Sequence, residues 1–308
     1  MAINIIGMPI GYGAQKHGTS SGPDKFREMH IEEEIKNMGF DVKDLGNIEV
    51  PVVGEDHKYK YDGKLKYLDI VVDANTKLAF KVYESISSGN FPLVLGGDHS
   101  LGMGSIAGVS KHVKNLGVIW IDAHGDINTH ETTPSGNIHG MPLAASMGFG
   151  PDKLVNLFEH RIKVKDENVF IIGARDLDEG EIELIKNSNI KAFTMDKVKK
   201  CGVENVINET LSYLRDKVDG IHVSFDIDSL DSSLVPGTGT PVKDGFTVDE
   251  AKYILGTLAS SGMVVSMDLV ELNPHIDRDE VTAKTYMELL RHVFDNLREV
   301  EDRQLMLG

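Results

Sequence analysis

A single cysteine, Cys201, in 308 residues leaves no intrachain disulfide and no thiolate cluster for a soft metal. Such a chain suits a reducing compartment. Long apolar runs are also missing: no stretch approaches the ~20 residues that a membrane-spanning helix needs. The opening MAINIIGMPIGYG has neither the basic start nor the cleavage site of a secretory signal, so a soluble, cytoplasmic protein is expected. Positive charge is scarce, with 32 Lys and Arg against 48 Asp and Glu and a formal net charge of −16. That balance argues against nucleic acid or an anionic membrane as partner, because both are polyanions, and it is compatible with a small cationic substrate. No Pro/Ser-rich linker or internal repeat divides the sequence, which reads as one domain over 1–308.

Short runs rich in Val, Ile and Phe supply about eight strand candidates, at 2–6, 40–45, 91–95, 117–122, 168–173, 190–194, 221–226 and 264–269. Helical periodicity covers 23–37, 65–88, 102–114, 178–187, 203–217, 247–261 and 279–299, mostly between successive strands. This alternation predicts an α/β domain with an eight-stranded, mostly parallel sheet and helices on both faces. The polar stretch 46–64 reads as a surface excursion.

In an open parallel sheet the functional groups sit beyond the carboxyl ends of the strands. The polar clusters obey that rule: PLVLGGDHS, VIWIDAHGDINT, IIGARDLDEGE, HVSFDIDSLD and MDLVELNP each end a strand candidate. Asp122, His124 and Asp126 stand at i, i+2 and i+4, which in extended chain directs them to one face. Asp226 and Asp228 repeat the spacing, and His99 follows another strand. One such residue is ordinarily a solvated loop position or a helix cap; six together are not. Four clustered carboxylates repel one another, and two divalent cations carry enough charge to neutralise them. Carboxylate and imidazole without thiolate suit Mn²⁺, with Fe²⁺, Co²⁺ or Ni²⁺ as other choices.

Rival motifs fail on position. Gly102-Met-Gly104-Ser-Ile-Ala107 imitates a dinucleotide fingerprint, but its glycines fall inside a predicted helix while the turn itself carries Asp98. Gly18-Thr-Ser20-Ser-Gly22 matches a nucleophile elbow without following a strand.

At GGDHS, DAHGDINT, SGNIHGMP, SFDIDSLD and VELNP the sequence resembles the ureohydrolase superfamily of arginases, agmatinases and formiminoglutamases, in family order and over nearly the whole chain. Asp-Ile-Asn-Thr (126–129) followed by Thr-Pro-Ser-Gly-Asn-Ile-His-Gly (133–140) resembles arginases in particular. The resemblance implies a parallel eight-stranded fold and two Mn²⁺ per chain held by His99, Asp122, His124, Asp126, Asp226 and Asp228. It makes His139 the proton-shuttling histidine and Glu271 the carboxylate that binds the guanidinium. It places Asn128, Ser135 and Asn137 at the carboxylate of an L-arginine substrate, Asp178 and Glu181 near its α-amino group, and Thr240 near the guanidinium. Homotrimers or homohexamers are also implied. Two departures stand out: Asp231-Ser232 replaces the usual Asp-Pro, and the sequence ends at Gly308 without the tail that helps some arginases trimerise, so oligomer contacts are expected elsewhere.

The chemistry explains the residue types. Guanidinium is cationic and resonance-stabilised, so neutral water attacks it slowly. A hydroxide bridging two cations is a stronger nucleophile near pH 7, and it is held in place. Asp126 is then suited to pass on its proton, and His139 to exchange protons with solvent or product. The competing expectations are a ureohydrolase for agmatine or guanidinobutyrate, which lack the amino-acid head, and a catalytically silent homologue.

Overall fold

The computed structural model describes residues 2–14 and 16–307, with only the backbone described for Glu301 and for 303–307. Eight strands form one sheet: β1 Ala2–Met8, β2 Asp41–Asn47, β3 Phe91–Gly96, β4 Leu116–Ile121, β5 Val169–Ile172, β6 Lys191–Phe193, β7 Gly220–Asp226 and β8 Val264–Val270. Their order is β2-β1-β3-β8-β7-β4-β5-β6 and every pairing is parallel. The expected "mostly parallel" sheet is thus wholly parallel.

Burial follows from that order. The central strands β3 (FPLVLG) and β4 (LGVIWI) are buried along their whole length, as near-continuous apolar runs covered on both faces require. Edge strand β2 (DVKDLGN) is polar and partly exposed. Within β4, Ile119 and Ile121 join one core with Phe225 and Leu255, while Val118 and Trp120 join the other with Leu78 and Ile106. The alternation of side chains along a strand therefore feeds two separate cores.

Eleven α-helices are described: α1 Gly22–Glu28, α2 Ile31–Asn37, α3 Leu68–Ser87, α4 Gly102–His112, α5 Pro142–Ser146, α6 Asp152–Val155, α7 Glu179–Asn187, α8 Met195–Cys201, α9 Val203–Leu214, α10 Val248–Ser260 and α11 Val281–Leu307. The helix expected over 23–37 is two, because His30 takes a left-handed conformation with φ 60° between α1 and α2. Periodicity missed α8, which packs Met195 and Val198 inward and ends at Gly202. It also missed the short α5 and α6. The excursion expected over 46–64 spans 48–67, since β2 runs on to Asn47 and α3 begins only at Leu68, and it holds only a 3-10 turn at Glu55–His57.

The strand order also sets the position of the site. The chain passes from β3 to β4 and leaves a gap that β8 and β7 later fill, so β3, β8, β7 and β4 lie side by side at the topological switch. Tyr286 of α11 ties two of their ends together, its single hydroxyl proton shared between Val270 O at 2.5 Å and Phe225 O at 3.2 Å. Replacing it by Phe keeps the ring and removes both hydrogen bonds, for an expected loss of about 1–2 kcal/mol. The readout is a lower urea midpoint at unchanged slope; an unchanged midpoint would show that the hydroxyl contributes nothing.

Candidate metal centre

Each of three central strand ends is closed by its own aspartate. Asp98 Oδ1 accepts from Ser100 N at 3.0 Å, Asp122 Oδ1 from His124 N at 2.7 Å, and Asp226 Oδ1 from Asp228 N at 2.8 Å. A short acidic side chain that satisfies the amide two residues on is what turns the chain sharply there. The residues chosen from i, i+2 spacing do converge, but not through extended backbone. β4 ends at Ile121 and Asp126 is left-handed at φ 52°, while Ile227–Ser229 form a 3-10 turn. Gly97 lets β3 enter this turn, since a Cβ there would lie 1.8 Å from Ile10 O.

The ligating atoms form two groups that share Asp122: His99, Asp122 and Asp126, and Asp122, His124 and Asp228. His99 Nδ1 lies 2.9 Å from Asp122 Oδ2, 3.1 Å from Asp126 Oδ2 and 3.2 Å from Asp226 Oδ2. None of the three is aligned as a hydrogen bond, and Nδ1 is buried without a partner. One ring nitrogen facing three carboxylates fits a shared cation better than any hydrogen-bond scheme. His124 Nδ1 stands 3.3 Å from Asp122 Oδ1 and 3.2 Å from Asp228 Oδ2. The residues present therefore fit a binuclear site for hard or borderline divalent ions.

Surrounding groups fix these ligands. His99 stacks on Trp120 with centroids 3.9 Å apart, and its Nε2 meets Ser224 Oγ at 2.8 Å, which leaves Nδ1 for the cluster. Trp120 Nε1 donates to Asp122 Oδ2 at 3.0 Å, and Thr240 Oγ1 to Asp228 Oδ2 at 2.8 Å. Arg175 spends its guanidinium on backbone, including the carbonyls of Asp228 at 2.7 Å and Val242 at 2.9 Å, and so pins the loop that carries Asp228. Sequence reasoning gave no role to Trp120, Ser224 or Arg175, whose partners are distant in the chain.

Electrostatics follow from burial. Asp122, Asp228, Asp226 and Asp126 are only 0, 0, 2 and 6% exposed. Burial, then repulsion from Asp228 and Asp122, drives the Asp226 pKa well above the carboxylate range. Burial, then Asp122, raises Asp126 to about 6. Burial likewise raises Asp228. Burial alone would raise Asp122 too, but the imidazoles of His124 and His99 beside it hold it low. Burial would neutralise both imidazoles, yet the carboxylates outweigh it and keep His99 and His124 protonated well above their usual value.

Above the cluster opens a cleft of about 180 Å³. His99, His124, Asp126 and Asp226 line its floor, with Asp122 and Asp228 beneath them. His139, Glu271, Thr240, Asn128, Ser135, Asn137, Asp178 and Glu181 line the rest, so the structure brings every expected site residue to one place. Glu271 is buried and left-handed at φ 64°; its Oε1 accepts from His99 N at 2.8 Å and lies 3.5 Å from His139 Nδ1. Burial lowers the His139 pKa, but Glu271 and then Asp126 lift it to about 9. Glu181 is buried and occupied, accepting from Ile127 N at 3.1 Å and Asp178 N at 2.9 Å, and burial raises its pKa to about 7. Asp178 Oδ2 accepts from Asn128 Nδ2 at 2.7 Å. The reading missed Asp176, which lines the cleft 3.8 Å from His124 Nε2; its i−2 spacing from Asp178 was the available signal.

A parallel α/β sheet whose switch-point cleft ends in a carboxylate–imidazole cluster defines a class: metal-dependent hydrolases that act on small polar substrates. The comparisons narrow it. Residues 1–295 match the model of the Arginase family. The chain is 47% identical to an arginase of Brevibacillus brevis over 292 residues, covering 95% of this chain and 97% of that one. It is 49% identical to an arginase of Bacillus subtilis (strain 168) over 288 residues, covering 94% and 96%. The crystal structure of Bacillus caldovelox arginase superimposes with a TM-score of 0.92 at 44% identity, covering 95% and 98%. Formimidoylglutamase of Bacillus subtilis, at 22% identity and a TM-score of 0.78, shares the fold. The chain belongs to the arginase family, within the ureohydrolase superfamily, and is a hydrolase acting on amidines.

Protonated His99 and His124 must release their protons to bind a metal, so apparent Mn²⁺ affinity is expected to fall as pH drops from 8.5 to about 6.5. Calorimetric binding enthalpies should accordingly vary with the ionisation enthalpy of the buffer. Buffer-independent enthalpies would contradict this account of the cluster.

Proposed function

We propose that the protein acts as an arginase, hydrolysing the guanidinium of L-arginine to L-ornithine and urea at two Mn²⁺ ions held by His99, Asp122, His124, Asp126, Asp226 and Asp228. The observation that carries the reading is the pair of ligand groups sharing Asp122 at the base of a cleft that Asn128, Ser135 and Asn137 also line. Two divalent cations bound there would supply an activated water near neutral pH and offset the charge of four carboxylates.

The chain's own groups supply the remaining steps. The acidic cleft attracts a guanidinium. Glu271 Oε2 has no hydrogen-bond partner among the described residues, because Oε1 serves His99 N, so Oε2 is free to orient the substrate by a charge-assisted hydrogen bond. Asp126, one of the carboxylates that line the cleft, suits transfer of a proton away from the attacking water. His139, held near 9 by Glu271, is mostly protonated at neutral pH and suits donation to the departing amine. Thr240 acts on the guanidinium end while holding Asp228.

Specificity is assigned to the far end. Neutral donors at Asn128, Ser135 and Asn137 suit an α-carboxylate, and Asp178 suits the α-ammonium. Glu181 serves the same subsite by locking the loops of Ile127 and Asp178. We extend the proposal to one catalytic domain spanning 1–308, assembled as a homotrimer or homohexamer that light scattering would detect. A cytoplasmic setting suits the exposed free thiol of Cys201.

Urea release from L-arginine and from agmatine, with Mn²⁺ and after chelation, tests the reading. Unpaired buried donors cost roughly 1–3 kcal/mol each, so kcat/KM for L-arginine should exceed that for agmatine by at least about 10³-fold. Asn137→Ala should narrow the gap chiefly by weakening arginine. Equal rates on both substrates would refute the arginase reading, and no urea from any guanidino compound would revive the silent homologue.

A further inference from the structure

Among the described residues no lysine or arginine lines the cleft itself, and Lys16 lines only an adjoining pocket that shares Asn137, His139, Thr240 and Glu271 with it, although a substrate carboxylate calls for positive charge. A cation stands just behind Asn137. Lys66 is half-buried, and its Nζ donates to Asn137 Oδ1 at 2.7 Å. Among the described residues that is its only side-chain hydrogen bond, and no carboxylate lies within ion-pair distance of it. Partly buried ammonium groups ordinarily find an anion, and burial already lowers the pKa of this one.

The backbone fixes the arrangement. Lys66 N donates to Gly136 O at 3.0 Å, and Gly136 is left-handed at φ 73°, with Lys64 O only 2.1 Å from where a Cβ would stand. The loop bearing Asn137 is thus pressed against the segment bearing Lys66. An ammonium can only donate, so it selects the amide orientation of Asn137 with the oxygen toward Lys66. Nδ2 then faces away from Lys66 and has no partner among the described residues, free to donate to a ligand in the cleft that Asn137 lines.

We propose that Lys66 is a specificity-determining positioning residue: it locks the Asn137 amide with Nδ2 available to the cleft and supplies the positive charge that draws in the substrate α-carboxylate. The inference rests on the reading of L-arginine as substrate.

The test compares wild type, Lys66→Met and Lys66→Arg, all loaded with manganese, with Lys66→Gln as a second neutral variant should Lys66→Met not fold. Loss of the charge is expected to raise KM for L-arginine about tenfold, the scale of one partly screened charge-assisted contact, with kcat within about twofold. L-ornithine should bind about tenfold more weakly by calorimetry, whereas putrescine, which lacks the carboxylate, should bind as it does to wild type. Lys66→Arg should restore most of the loss, and manganese content should not change. Wild-type KM and L-ornithine affinity in the neutral variant would overturn the inference while leaving the arginase reading intact. Equal losses for L-ornithine and putrescine would also overturn it, by exposing a purely structural role. A wild-type preference for agmatine would overturn both.

Discussion

Four largely buried carboxylates packed at the end of a parallel sheet repel one another, and the site is organised around that cost. Burying one unpaired carboxylate costs several kcal/mol even after the surroundings relax. Asp122 and Asp228 have no exposed surface at all. The protein meets part of the cost with His99 and His124, and with hydrogen bonds from Trp120 and Thr240. The balance is a demand for cations. Strand order concentrates the demand: β3, β8, β7 and β4 are neighbours, so His99, Glu271, Asp226 and Asp122 lie at or just beyond adjacent strand ends.

From the floor upward the structure loosens in a graded way. The strand-end aspartates close their own turns, and Arg175, Glu181 and Tyr286 bind the next layer of loops to them through backbone groups. Outside these lie Asn128, Ser135 and Asn137, where a substrate's distal groups would be read. Placing the reacting centre on strands and the discriminating groups on loops lets specificity vary without disturbing the cluster.

Much of this was legible because most of the strands are short apolar runs ending in polar clusters, so they and every cleft residue singled out could be located. The resemblance added what spacing could not, above all His139 and Glu271. Errors arose where local geometry overrides pattern. His30 breaks the expected helix just where its apolar period slips, from Phe26 and Met29 to Ile31 and Ile35, and Asp126 meets its partners through a left-handed turn rather than along an extended strand. Residues whose importance lies in long-range contacts, such as Arg175, Ser224 and Lys66, were invisible, since a guanidinium ringed by carbonyls or an ammonium behind an amide leaves no period or motif.

The central claim is that this cluster is built around two cations sharing Asp122. Anomalous diffraction at the manganese edge, from crystals of the manganese-loaded protein, addresses it directly. The account predicts two peaks, one within bonding distance of His99 Nδ1 and one of His124 Nδ1, both reaching Asp122. A single peak, or manganese lying elsewhere with Asp122 uncoordinated, would contradict it.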